Sequence, residues 1–169
     1  MKVLSVTSTR CVGCRLCEQW CSFYHHGLVS PSKTRIRVLR DLEGEKDVPL
    51  VCRQCTIPLC IKACPATALC RDEKTGAVSV NREACVGCGM CVEACPHGAI
   101  GVEQEGYPVI CDLCGGQPQC VIHCPEGAIK YQRRELIDRG KKMSAVTLIS
   151  AVLRLTRNIL PVNPLNLTD

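Results

Sequence analysis

The sequence predicts an α+β fold built by internal repetition, with short β-hairpins and short helices over 1–131 and a helical extension over 132–169. Three observations carry that expectation. Seventeen of the 169 residues are cysteine, and sixteen of these fall into four groups of four. Short apolar runs separated by polar, glycine-containing turns follow the groups, which is a hairpin signal. After Tyr131 the cysteines stop, and apolar residues recur at a spacing of 3–4.

The groups come first because they set the repeat. Cys11, Cys14, Cys17 and Cys21 are spaced C-x2-C-x2-C-x3-C. Cys52, Cys55, Cys60 and Cys64 are spaced C-x2-C-x4-C-x3-C-P. Cys85, Cys88, Cys91 and Cys95 are spaced C-x2-C-x2-C-x3-C-P, and Cys111, Cys114, Cys120 and Cys124 C-x2-C-x5-C-x3-C-P. Only Cys70 is left over. Strands are expected at Thr67–Arg71, Gly98–Val102 and Gly127–Tyr131. The first continues through Asp72–Gly76 into Ala77–Val80 as a hairpin, and Gly101–Ile110 forms a second about Glu105-Gly106.

Thirty residues separate Cys21 from Cys52. They predict a strand over Arg35–Arg40, whose alternating Ile36, Val38 and basic residues suit an exposed edge. A charged turn over Asp41–Asp47 and a short apolar stretch, Val48–Val51, follow. Beyond Tyr131, Gln132–Lys142 reads as a charged helix. Met143–Leu160 reads as a helix with Ala145, Leu148, Val152, Leu155 and Ile159 on one apolar face, ended by Pro161 and Pro164. Val162–Asp169 is expected to be extended.

So much cysteine in a short chain raises the question of disulfides. The opening MKVLSVTSTR has no apolar leader, the cysteine number is odd and the spacing is regular, all of which argue against them. Aromatics are scarce: Trp20, Phe23, Tyr24, Tyr107 and Tyr131. A core so poor in aromatic area needs another filler, and inorganic cofactors supply one. Thiolates in fours at these spacings are the ligand set of 4Fe–4S clusters, with three cysteines wrapping one cluster and the fourth reaching its neighbour. Zinc ribbons separate their C-x2-C pairs by long loops and lack C-x2-C-x2-C-x3-C-P. Each oxidised cluster with its thiolates carries a charge of about −2, so four take the formal +5 to about −3. The basic residues then balance buried anions, and no stacking aromatics or basic runs suggest nucleic acid. Pro65, Pro96 and Pro125 fix the backbone after the last cysteine of three groups, and Gly13, Gly87 and Gly89 relieve crowding in the loops.

The third group resembles a bacterial two-cluster ferredoxin motif. CRQCTIPLCIKACP and CDLCGGQPQCVIHCP resemble the modified motifs of four-cluster ferredoxin-like subunits serving molybdenum and tungsten pterin oxidoreductases, hydrogenase–formate systems and carbon monoxide dehydrogenase. CVGCRLCEQWCSFYHHGLVSPSKTRIRV is most similar to the subunits accompanying tungsten aldehyde oxidoreductases and benzoyl-CoA reductases. The resemblance covers residues 3–131, and Ser22 departs from the proline usual after a fourth cysteine. It implies tandem ferredoxin-like modules, an outer one from 1–51 and 103–131 and an inner one from 52–102. It implies four clusters in a roughly linear wire. Cys11, Cys14, Cys17 and Cys124 would hold one; Cys111, Cys114, Cys120 and Cys21 its mate. Cys52, Cys55, Cys60 and Cys95 would hold a third; Cys85, Cys88, Cys91 and Cys64 the fourth.

Other residues take plainer roles. Cys70 is expected to be a buried apolar residue, His25 and His26 to pack or face solvent, and Trp20 and Tyr24 to pack. His97 and His123 flank cluster loops, where a potential-tuning hydrogen bond is the alternative to the favoured plain role. Ile57, Leu59, Val86, Met90 and Val121 are expected to shield clusters from water. No nucleophile–base pair or phosphate loop is present, so the chain is expected to have no catalytic site of its own. The expected function is an electron-transfer subunit of a tungsten or molybdenum pterin oxidoreductase such as an aldehyde oxidoreductase; the alternatives are an independent polyferredoxin carrier, or the iron–sulfur subunit of a hydrogenase–formate or carbon monoxide dehydrogenase system. Further partners are other copies of the chain or a flavin- or NAD-linked subunit. No membrane span is expected, and the cytoplasm is the expected location. The extension over 132–169 is expected to dock on a partner.

Overall fold

The computed structural model describes residues 1–41 and 46–137. Contacts divide the chain into Met1–Arg133 and Arg134–Asp169. The expected apolar-faced helix over Met143–Leu160 and the extended tail lie outside the described residues. Among its described residues the first unit is α+β, with four two-stranded antiparallel sheets, four α-helices and three short 3-10 helices.

β1 (Lys2–Val6) pairs with β8 (Ile129–Arg133), from Lys2 opposite Arg133 to Val6 opposite Ile129. This pairing ties the two ends of the unit together. β8 runs two residues past Tyr131, so Gln132 and Arg133, expected to open a charged helix, are strand residues. The Gln132 amide Nε2 donates to Ser5 Oγ at 3.0 Å across the pair. β2 (Ile36–Asp41) and β3 (Lys46–Val51) form a hairpin with Ile36 opposite Val51. The expected exposed edge is thus half of a pair whose inner face buries Ile36, Val38 and Val51. β4 (Leu69–Arg71) pairs with β5 (Val78–Val80), and β6 (Gly101–Val102) with β7 (Pro108–Val109), where the two hairpins were expected.

α1 (Leu16–His26) has eleven residues, whereas α2 (Leu59–Lys62), α3 (Met90–Glu93) and α4 (Gln119–Ile122) have four each. The difference follows from one residue type. Pro65, Pro96 and Pro125 follow the fourth cysteine of the later groups, and a proline disfavours helical backbone in the residue before it. Ser22 imposes no such stop. Its fully buried hydroxyl donates to the Gln19 carbonyl at 3.0 Å and accepts from Ser30 N at 3.1 Å. α1 therefore runs on to Gly27, which takes φ +67° and donates to the Phe23 carbonyl at 2.8 Å.

The repeat is visible in the backbone. The residue before the second cysteine of each group is left-handed: Gly13 at φ +67°, Gln54 at +46°, Gly87 at +67° and Leu113 at +60°. At Gly13 a Cβ would collide with the Asp47 carboxylate. Gln54 and Leu113 hold the same turn at a cost of about 1–2 kcal/mol each, and both are fully buried. Two apolar cores result. One gathers Leu4, Ile36, Val38, Val51, Leu113 and Ile129 with Cys17, Cys21, Cys111 and Cys120. The other gathers Leu69, Val78, Ile100 and Ile110 with Cys91. Among the described residues no helix is long and apolar enough to cross a membrane.

Candidate metal centres

The loops bring sixteen cysteines into four gatherings, each drawing on two groups. One cavity is lined by Cys11, Cys14, Cys17 and Cys124, with Val38 and Ile129 behind them. A second is lined by Cys64, Cys85, Cys88 and Cys91. A third is lined by Cys21, Cys111, Cys114 and Cys120, together with His25, Arg35 and Asp112. Cys52, Cys55, Cys60 and Cys95 are close enough for Cys52 to feel the other three electrostatically, and Cys60 feels Cys55 and Cys95. The fourth cysteine of each group thus sits with three cysteines of another group. Cys70 stands apart and exposed, with its Sγ 3.0 Å from Ser79 Oγ.

The donor set fits iron. Burial pushes the Cys17 thiol up to about 12, and the Glu18 carboxylate adds to it. Burial likewise pushes Cys52 and Cys114 up to about 11, and pushes Cys111 and Cys120 up as well. Such thiols ionise near neutral pH only against a bound cation. Backbone N–H groups already face cysteine sulfurs: Arg35 N lies 3.3 Å from Cys21 Sγ, Ala68 N 3.3 Å from Cys64 Sγ and Ala99 N 3.5 Å from Cys95 Sγ. Arg35 Nε is buried without a hydrogen-bond partner among the described residues, an N–H that a cluster sulfur would satisfy.

Two buried polar side chains brace these loops. Gln54 lies between Cys52 and Cys55. Its Nε2 donates to the Cys111 carbonyl at 2.7 Å, and its Oε1 accepts from Val78 N at 3.0 Å. Cys52 and Cys111 also feel each other electrostatically, so two gatherings adjoin where Gln54 ties their loops. Glu18 Oε1 accepts from Val38 N at 2.6 Å, fixing β2 against α1. Neither residue was singled out from the sequence, because an isolated Gln or Glu in a cysteine loop has no periodicity or motif to mark it. The left-handed position shared by Gly13, Gln54, Gly87 and Leu113 was the available signal.

The histidines are distributed differently from expectation. His25 lines the third cavity, with Nε2 3.4 Å from Asp112 Oδ1 and 3.7 Å from Cys114 Sγ. His123 stacks on Trp20 with ring centroids 3.6 Å apart, at positions where the inner repeat has Ala63 and Ala94. His97 and His26 are exposed. Ile57, Leu59, Val86 and Met90 are also exposed, so water reaches the outer faces of these expected shields.

Residues 46–134 match the family described as the 4Fe–4S dicluster domain. The polyferredoxin-like subunit of aliphatic sulfonate oxidoreductase from Pyrococcus furiosus is 50% identical over 111 residues, covering 65% of this chain and 64% of that one. The putative electron transport protein YsaA of Escherichia coli is 36% identical over 63% of this chain and 72% of its own length. Formate hydrogenlyase subunit 2 of the same species is 42% identical over 55% of this chain and 44% of its own length. The chain therefore spans less than two thirds of the Pyrococcus relative. Among solved structures, the active site complex BamBC of benzoyl coenzyme A reductase aligns at 23% identity over 91% of this chain and 97% of that one, with a TM-score of 0.48, a likeness too weak to bear on function. The family match and the cysteine gatherings lead to one conclusion: the chain belongs to the 4Fe–4S dicluster domain family and is a ferredoxin-like electron-transfer protein that carries 4Fe–4S clusters and is related to oxidoreductase subunits.

Proposed function

We propose that the chain relays single electrons through four 4Fe–4S clusters to or from a catalytic oxidoreductase subunit of the tungsten or molybdenum pterin type. The observation that carries the number four is the set of four gatherings, each of four cysteines from two groups. In this reading Cys11, Cys14, Cys17 and Cys124 hold one cluster, and Cys21, Cys111, Cys114 and Cys120 its mate, in an outer module. Cys52, Cys55, Cys60 and Cys95, and Cys64, Cys85, Cys88 and Cys91, hold the inner pair. A bound 4Fe–4S cluster takes up and returns one electron. The chain's own residues hold the thiolates, supply N–H groups to sulfur, and exclude water with fully buried Leu4, Leu113 and Ile129. Gln54 joins the modules where Cys52 and Cys111 adjoin, the junction an electron must cross between them.

The partner type rests on relatives. The sulfonate oxidoreductase subunit favours a catalytic subunit as the partner, and the formate hydrogenlyase subunit keeps a hydrogenase–formate system as a second reading. The proposed location is the cytoplasm, and residues 134–169 are the proposed docking extension, since Gln132 and Arg133 belong to β8. The experiment is metal and sulfide analysis of anaerobically prepared protein. About 16 iron and 16 sulfide per chain are expected. Zinc without sulfide, or about half the iron, overturns the assignment.

A further inference from the structure

The first group is the one without proline after its fourth cysteine, and that difference has a chemical consequence. Because α1 continues past Cys21, it carries His25 to the cavity lined by Cys21, Cys111, Cys114 and Cys120. There the ring is held, not loose. Asp112 Oδ1 takes Nε2 at 3.4 Å and also accepts from Cys114 N at 3.0 Å. Asp112 Oδ2 is bound by Arg35 Nη1 at 2.5 Å. Nε2 faces two acceptor atoms, Asp112 Oδ1 and Cys114 Sγ, and that placement selects the tautomer with the proton on this nitrogen. The same N–H lies 3.7 Å from Cys114 Sγ, the sulfur in the loop that Asp112 caps.

We propose that His25 is a positioning residue of the electron-transfer chain: its Nε2–H, held between Asp112 Oδ1 and Cys114 Sγ, donates to the Cys114 thiolate in a shared hydrogen bond and raises the reduction potential of the cluster held by Cys21, Cys111, Cys114 and Cys120. The reason is electrostatic. Reduction adds one negative charge to the cluster and its thiolates, and an N–H dipole pointing at sulfur favours the more negative state. The short helices of the other groups end before reaching an equivalent position. At Cys64 and Cys95 the donors facing sulfur are the backbone N–H groups of Ala68 and Ala99. A side-chain donor thus distinguishes one site of a repeated set, and gives otherwise similar clusters different affinities for the electron.

The inference rests on the four-cluster reading, and the test separates the two. The full chain is titrated potentiometrically under anaerobic conditions with EPR detection, as wild type and as His25→Phe, with iron counted in both. In His25→Phe the reduction equilibrium of one cluster should fall by up to about tenfold, a shift of about 59 mV for one electron, with the other three unmoved. Four wild-type clusters whose potentials all survive His25→Phe overturn the role of His25. Fewer than four clusters in the wild type overturn the four-cluster reading instead. Should the variant lose its cluster, the wild type decides: pulsed EPR of reduced protein with 15N-labelled histidine should show a 15N coupling to one cluster. Absence of that coupling overturns the hydrogen bond.

Discussion

Replacing Gln54 with leucine tests whether the two halves of the cluster domain are joined through one buried amide. The side chain has no exposure, and its two arms satisfy the Cys111 carbonyl at 2.7 Å and Val78 N at 3.0 Å. Leucine matches its bulk roughly but answers neither group. A buried polar group left without a partner costs about 1–3 kcal/mol, so the pair costs about 2–6 kcal/mol. Backbone strain does not change, because both residues carry a Cβ at the left-handed position. If clusters are released through opening at this junction, even 2 kcal/mol speeds release about 30-fold. The assay is anaerobic mixing with an iron chelator in moderate guanidinium chloride, following loss of cluster absorbance. Gln54→Glu sharpens the reading, since it keeps the acceptor arm to Val78 and sets a carboxylate oxygen against the Cys111 carbonyl. Both variants should release iron much faster than wild type. Release from Gln54→Leu within threefold of wild type would refute the idea that this amide joins the halves.

Other outcomes follow from the same structure. Glu18→Ala leaves buried Val38 N without its acceptor and should destabilise the domain by about 1–3 kcal/mol, whereas Glu18→Gln keeps an acceptor and should cost less than half as much in guanidinium unfolding. A maleimide should modify one thiol, exposed Cys70, in the intact protein, and all 17 after iron is removed and the chain denatured. Mass spectrometry reads both numbers, and four or more labels on intact protein would contradict the ligand sets. Truncation belongs after Arg133, since cutting at Tyr131 would remove the part of β8 that pairs with Lys2 and Val3. The truncated chain should keep its iron and bind its partner subunit less tightly, as measured by co-purification from the native complex; full affinity would end the docking role of 134–169.

Local features of this molecule were readable from sequence, and distant ones were not. Cysteine spacing marked the loops because three ligands to one metal centre must lie close along the chain. The Leu69–Val80 and Gly101–Val109 hairpins were readable because a glycine-containing turn joins their adjoining runs. The β1–β8 pairing was missed because nothing in Lys2–Val6 points to Ile129–Arg133, and antiparallel strands so far apart leave no local mark. The β2–β3 hairpin was half seen, since Pro49 lies in the second strand and the charged segment between the strands obscures the turn. The sequence points His25 to packing or to solvent, because sixteen cysteines already complete the four expected ligand sets. Ser22 in place of proline is legible in the sequence, but the buried hydrogen bonds to Gln19 and Ser30 that accompany the longer α1 are not. That length is what brings the ring beside Cys114.

The measurement that bears most directly on the whole account is coulometric reduction of the intact, anaerobically prepared chain with a low-potential donor, recording electrons taken up alongside the EPR spectrum. Four one-electron clusters predict uptake of four electrons per chain, with spin–spin broadening as neighbouring clusters become reduced together. Uptake of two electrons or fewer by fully iron-loaded protein, or none at all, would contradict it.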